Sequence, residues 1–178
     1  MCNFVPRKGR HTNPHLTIWR SSDGYTYTAA IENLHLPPDA QLTVLLPNEQ
    51  TTLQNILNPF WGKVVYIDFW ATWCAPCLQE MEHSVALQQM YEGEDVVFLY
   101  LSLDQTADKW RTKIAELGVN GYHYLLNSAL TTEVAKLWQL GAIPRYMLVS
   151  KQGVMVNPNA PNPTNNQLIV QLDNLLNK

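Results

Sequence analysis

This chain is short of charge. Only 15% of its residues are Asp, Glu, Lys or Arg, and they sum to a net charge of −3. With no basic excess and no basic stripe, it lacks what a general nucleic-acid binder needs to meet phosphates. Long hydrophobic runs are missing too, and none approaches the ~18 residues of a membrane span. The N-terminal stretch MCNFVPRKGR is charged but leads into no apolar segment, so it is not a secretion signal. The chain is therefore read as cytosolic, or as the mature or truncated part of a longer protein. Cysteine is scarce as well. Three cysteines are too few to staple a disulfide scaffold, and an odd number leaves one unpaired. Two form Cys74-x-x-Cys77, so Cys2 is the leftover, incidental at a chain end. A lipid-anchored reading of Cys2 would need an apolar leader that this sequence does not have.

What is present is a chain of 178 residues, 46% of them hydrophobic, enough for one domain with a real core plus an appendage. Residues 1 to about 14 read as a flexible arm. His15–Trp19 and Tyr25–Ile31 alternate about an Asp23-Gly24 turn signal and predict a β-hairpin. His11 and His15 have no third ligand near them and are read as solvated or packing histidines. Pro37-Pro38-Asp39 looks like a linker, so residues 1–40 form an N-terminal arm and hairpin extension and residues 41–178 the main domain. There, Leu42–Leu46 predicts a strand, Thr51–Leu57 a turn or two of helix, and Asp95–Leu103 a strand buried on both faces. Asp104–Leu117 shows a 3.6-residue period that stops at Gly118. Tyr122–Leu126 is a further strand. Thr131–Leu140 reads as a helix that buries Val134, Leu137 and Trp138 and is closed by Gly141. Tyr146–Val149 and Val154–Val156 form a closing hairpin. The stretch NPNAPNP has no propensity of its own, and Thr164 with Gln167 suggests a capping box for a last helix. Alternating strands and helices predict an α/β domain.

The chemistry concentrates in VVYIDFWATWCAPCLQEM, residues 64–81. Apolar and β-branched residues deliver a buried strand to the two cysteines. A helix then follows, with Leu78, Met81, Val85 and Met90 as its apolar positions and Gly93 beyond its end. Thiol–disulfide exchange needs one attacking thiolate and a second thiol to resolve the mixed disulfide. The unpaired N–H groups and dipole at a helix start favour a negative sulfur. Cys74 is thus the attacking, more exposed thiol and Cys77 the buried resolving one, with Pro76 suited to the first turn. A zinc half-site would need two more ligands, and only Cys2 and scattered histidines such as His83 and His123 remain. A static disulfide over so short a loop would remove little chain entropy.

These residues carry a resemblance. VVYIDFWATWCAPC is similar to the active-site stretch of thioredoxin-fold thiol–disulfide oxidoreductases, and Gly141-Ala142-Ile143-Pro144 resembles the family's cis-proline loop. The longer insert before that loop, Glu80 and the C-terminal stretch resemble the TlpA/ResA-like (AhpC/TSA-related) branch of exported, often membrane-tethered reductants. The resemblance implies a thioredoxin-like fold, a central mixed β-sheet flanked by helices. It implies a site of Cys74, Cys77, Asp68 and Glu80, with Trp73, Ala75, Pro76, Ile143, Pro144 and Arg145 binding the partner. Asp68 matches the family's buried carboxylate, linked to proton movement at the buried thiol, and Glu80 the acidic residue that tunes cysteine acidity. Trp70 reads as core. Tyr100 stands where thioredoxin has a lysine, so Asp68 loses that charge partner and burial should raise its pKa. Arg145 stands where thioredoxin has threonine, a cation beside the docking groove.

The implied activity is disulfide exchange with protein substrates, in the reducing direction, with no bound cofactor and no metal. The implied partners are protein thiols and disulfides and an upstream redox donor. The location is periplasmic or envelope-exposed, otherwise cytoplasmic, with membrane contact only through an N-terminal anchor missing from this chain. Two rivals remain. A thiol peroxidase of the same fold needs Pro-x-x-x-Thr-x-x-Cys, but Ile67 and Ala71 occupy those positions. A chaperone or copper-delivery module would use the scaffold without turnover, and copper-delivery relatives space their cysteines CxxxC.

Overall fold

The computed structural model describes residues 36–45 and 50–177. The expected arm and hairpin, with Cys2, His11 and His15, lie outside the described residues. Within them, six strands form one mixed sheet: β1 (Ala40–Val44), β2 (Val64–Trp70), β3 (Val96–Ser102), β4 (Gly121–Leu125), β5 (Arg145–Val149) and β6 (Met155–Asn157). Five helices flank it: α1 (Leu53–Leu57), α2 (Ala75–Met90), α3 (Ala107–Leu117), α4 (Ser128–Leu137) and α5 (Asn166–Leu176). The spatial order is β1-β4-β3-β2-β5-β6. β2, β3, β4 and β1 run parallel, whereas β5 pairs antiparallel with β2 and β6 antiparallel with β5. This is the mixed α/β architecture expected from the sequence.

β2 is central and buried along its whole length. Its side chains alternate between two faces, because successive Cβ atoms point to opposite sides of a sheet. Val64, Tyr66 and Trp70 pack with Cys77 and Met81 of α2, Trp110 and Ile114 of α3, and Leu168 and Leu172 of α5. Val65, Ile67 and Phe69 pack instead with Leu53 and Ile56 of α1 and Leu130 and Val134 of α4. Each fully buried aliphatic or aromatic side chain stabilises the fold by about 1.5–3 kcal/mol relative to exposure. Both faces therefore contribute to stability. Only one of them reaches the cysteines.

Glycine matters at two joints. Gly118 caps α3 in the left-handed conformation, at φ 65°, and its N–H donates to the Ile114 carbonyl. Gly121 opens β4 at φ 107°, where a Cβ would stand 2.7 Å from the Phe98 carbonyl oxygen. A side chain there would push β3 and β4 apart.

Several local expectations change. Leu137, read as buried from its spacing, is exposed, as is Met90, an apolar position near the end of α2. α4 begins at Ser128, not Thr131, because Asn127 caps it by accepting the Leu130 N–H. Leu130 thereby takes the core position assigned to Leu137. α4 ends before Gly141, and the left-handed residue there is Gln139, at φ 50°. α3 begins at Ala107 because the Asp104 side chain is engaged elsewhere. α5 is capped by Asn165, not Thr164, with Asn165 Oδ1 accepting from the Gln167 N–H.

Candidate active site

β2 ends at Trp70, and the chain turns through Ala71–Trp73 before α2 begins. That turn is tied down from β3. Asp104 accepts the Thr72 N–H at 2.9 Å and the Thr72 hydroxyl at 2.7 Å, while the Ser102 hydroxyl also donates to it at 2.8 Å. The Leu103 N–H donates to the Trp70 carbonyl and the Cys74 N–H to that of Ala71. A nearly buried carboxylate with three donors holds the segment that presents Cys74. Asp104 was not singled out from the sequence. Its only signal was an acidic residue after an apolar strand, which equally well begins a helix.

Cys74 is the N-cap of α2, and its Sγ accepts the Cys77 N–H at 3.3 Å. The two sulfurs are bonded, with Cα atoms 5.3 Å apart. Cys74 is 5% exposed and Cys77 0%, so the one at the cap is the more accessible of two buried sulfurs. Ala75 and Pro76 are exposed on the first turn, and Trp73 stands out at 68% exposure. Ile143 packs against the cluster that contains both cysteines, and the Ile143–Pro144 peptide bond is cis. Arg145 follows at the head of β5, in register with Phe69 at the end of β2. Its Nε donates to the Pro158 carbonyl at 2.8 Å, so the cation is turned toward the proline-rich loop.

Beneath α2 lies a row of polar residues that crosses the sheet. Asp68 is in register with Tyr100 on β3 and with Tyr146 on β5, and Tyr100 with His123 on β4. Tyr66, two residues along β2 on the same face, stacks on Tyr146 with ring centroids 5.6 Å apart. His123 stacks on Tyr100 at 4.6 Å. Asp68 is 1% exposed, and among the described residues neither of its oxygens has a hydrogen-bond partner. Burial, and secondarily the Glu80 carboxylate, hold its carboxyl well above the usual range. Its charge adds to burial in pushing up the hydroxyls of Tyr66, Tyr100 and Tyr146. Tyr100 occupies the place expected of a lysine. It supplies no cation, and its hydroxyl accepts instead from Gln88 Nε2 at 2.9 Å. Burial pushes His123 down to about 4, so at neutral pH it is uncharged, with Nε2 3.0 Å from the Val119 carbonyl.

Glu80, on the second turn of α2, is half-buried and meets the loop that leads to α5. Its Oε1 accepts from Asn162 Nδ2 at 2.9 Å. The stretch without propensity of its own is thus held by tertiary bonds, and the Tyr66 hydroxyl also donates to the Pro161 carbonyl at 2.8 Å.

A thioredoxin-like family model matches residues 62–155, the span from β2 to β6. The chain belongs to the thioredoxin-like family. Its relatives carry out thiol–disulfide exchange. It is 25% identical over 159 residues to the thiol–disulfide oxidoreductase ResA of Bacillus cereus ATCC 10987, covering 86% of this chain and 88% of that one. ResA of Bacillus cereus ZK is 26% identical over 107 residues, 60% of either chain, so this chain spans less than two thirds of that relative. Among solved structures, a Bacteroides vulgatus protein to which thiol–disulfide oxidoreductase activity is ascribed superposes with a TM-score of 0.60 and 35% identity. That match covers 67% of this chain and 83% of the other.

Proposed function

We propose that this protein is a thiol–disulfide oxidoreductase acting on protein substrates in the reducing direction, with Cys74 as nucleophile and Cys77 as resolving thiol. The observation that carries this is the Cys74–Cys77 pair at the cap of α2, with the Cys77 N–H directed at Cys74 Sγ. After reduction, the same N–H and helix end favour a thiolate at Cys74. That thiolate attacks one sulfur of a substrate disulfide, forms a mixed disulfide and expels the other sulfur as a thiolate. Cys77 then loses its proton and attacks Cys74 Sγ. The second substrate sulfur departs, and two electrons have passed from the enzyme to the substrate. Asp68, on the face of the sheet that α2 covers, is the group we assign to accept the Cys77 proton, supported by its raised pKa and lack of other partners. Trp73, Ala75, Pro76, Ile143, Pro144 and Arg145 form the proposed docking rim. The cycle needs no bound cofactor, and an upstream thiol donor restores the dithiol.

The likeness to ResA and to the TlpA/ResA-like branch supports an envelope-exposed site of action. No described helix is long and apolar enough to cross a membrane, and an anchor outside the described residues is compatible with this reading. The N-terminal arm and hairpin, residues 1–40, are proposed as an extension of the catalytic domain.

Insulin reduction with dithiothreitol tests the activity. Wild type should turn over, Cys74→Ser should be inert, and Cys77→Ser should accumulate mixed disulfides. An inactive wild type, together with no adduct on Cys77→Ser, would sink the assignment. Peroxide consumption without insulin reduction would favour the peroxidase reading, and stoichiometric copper retention without turnover the metal-delivery module.

A further inference from the structure

The proline-rich loop after β6 is fastened to the catalytic face at four points. The Ala160 N–H donates to the Tyr146 carbonyl, Arg145 to Pro158, Tyr66 to Pro161, and Asn162 to Glu80. The first three fix the loop backbone. The fourth reaches back to α2 and ends on a carboxylate. Asn162 is itself oriented, because its Oδ1 lies 3.1 Å from the Thr164 hydroxyl. That hydroxyl is 3.5 Å from Glu80 Oε2 as well, but it has only one proton to give. The shorter contact takes that proton. The amide is then polarised in one direction, with its carbonyl toward Thr164 and its NH2 toward Glu80. Reversing it would leave two acceptors facing each other.

We propose that Asn162, held by Thr164, is a positioning residue that fixes the Glu80 carboxylate over the buried polar row beneath α2. The proposal rests on the thiol–disulfide reading of Cys74 and Cys77, for which that row supplies the proton acceptor. A half-exposed glutamate on a helix otherwise turns to water, where its side chain keeps its rotamer freedom. Tied to Asn162, it stays where its charge acts on Asp68, Tyr66 and Tyr146.

The titratable groups in register with Asp68 or acting on it by charge are Tyr66 on its own strand, Tyr100 on β3, Tyr146 on β5 and Glu80 on α2. His123 lies one strand beyond Tyr100. α3 and α5 present Trp110, Ile114, Leu168 and Leu172 to this face, and residues 158–164 include no ionisable side chain. Arg145 is the nearest cation by register, and its guanidinium is engaged by Pro158. Glu82 and His83 are exposed on α2. Among the described residues, Glu80 is therefore the one carboxylate whose position the loop can set.

The test is the side-chain carboxyl 13C shift of Asp68, followed against pH in the oxidised protein, where neither cysteine titrates. Asn162→Ala should lower the midpoint by about half a pH unit, Glu80→Gln should lower it at least as far, and the double variant should go no further than Glu80→Gln. Thr164→Val, a milder change that serves if Asn162→Ala folds poorly, should lower it by less. An Asp68 midpoint unmoved by Asn162→Ala or, failing that variant, by Thr164→Val overturns the proposal. So does a midpoint unmoved by Glu80→Gln. A purely structural asparagine would lower Tm and leave the midpoint in place. These readouts need no turnover. Shifted midpoints without insulin reduction would reject the assigned activity and leave the latch standing.

Discussion

The two faces of β2 are built from one strand and obey different rules. Val65, Ile67 and Phe69 point into a cluster closed by α1 and α4, and none of the described buried polar atoms without a partner belongs to its members. Tyr66, Asp68 and Trp70 point the other way, among polar atoms that lack partners: both Asp68 oxygens, the Tyr146 hydroxyl and the Trp70 indole nitrogen. Burying a polar group without a partner costs free energy that the apolar face does not incur. The molecule places that cost on the side where α2 holds the cysteines. One face anchors the fold, and the other spends part of that stability on chemistry.

The largest effect should come from breaking the anchoring face. Phe69→Ala removes a fully buried ring that meets Trp138 edge-on and should cost about 3–5 kcal/mol in urea unfolding. Exchange activity per folded molecule should be nearly unchanged. A large loss of specific activity would show that the two faces are not separable.

On the other face the sign reverses. The folded Asp68 carboxyl binds its proton more tightly than the unfolded one, so this group's contribution to stability falls as pH rises above 3.8 toward its raised folded pKa. Asp68→Asn should therefore stabilise the protein at alkaline pH and have little effect below pH 4. The same variant should slow resolution of the mixed disulfide about 10²-fold. Lower alkaline stability in Asp68→Asn would contradict the burial argument.

His123 opposes Asp68 in one pH window. Its folded value is lowered from 6.5 to about 4, so between these limits the unfolded state binds more protons and stability rises with pH. Where both groups titrate, the two slopes have opposite signs in wild type. Asp68→Asn should unmask a dependence of about 1.4 kcal/mol per pH unit, read from urea midpoints at a series of pH values.

Smaller effects sharpen the contrast. Thr52 caps α1 on the anchoring side, with its hydroxyl accepting the Asn55 N–H, so Thr52→Ala should cost about 1 kcal/mol and leave exchange rates alone. Trp73→Ala should change stability by less than about 0.5 kcal/mol, as an exposed substitution does. It should nevertheless raise KM for a protein disulfide while sparing that for dithiothreitol. Equal effects on both substrates would remove Trp73 from the docking rim.

Residues 64–81 were legible because their information is local. An apolar run, a turn and a helical period predict β2, the CxxC and α2, and local spacing was enough to tell the cap sulfur from the buried one. Leu137 misled for a related reason. Period alone cannot say where a helix leaves the sheet it covers, and Leu130, freed by the Asn127 cap, had already filled the place given to Leu137. Thr164 was legible as a polar residue before a helix, but its hydroxyl serves Asn162, one position short of the cap.

By itself, the sequence determined the order of the elements and the CxxC pair, since both follow from spacing along the chain. Only the tertiary structure decided which residues stand beside Asp68. Tyr146 and Tyr100 meet it through strand pairings, Asp104 reaches Thr72 from the end of β3, and Asn162 meets Glu80 across a loop. Alternation fixes the face a side chain takes but not which strand becomes its neighbour, and the burial that raises the Asp68 pKa exists only once those strands and α2 have packed around it.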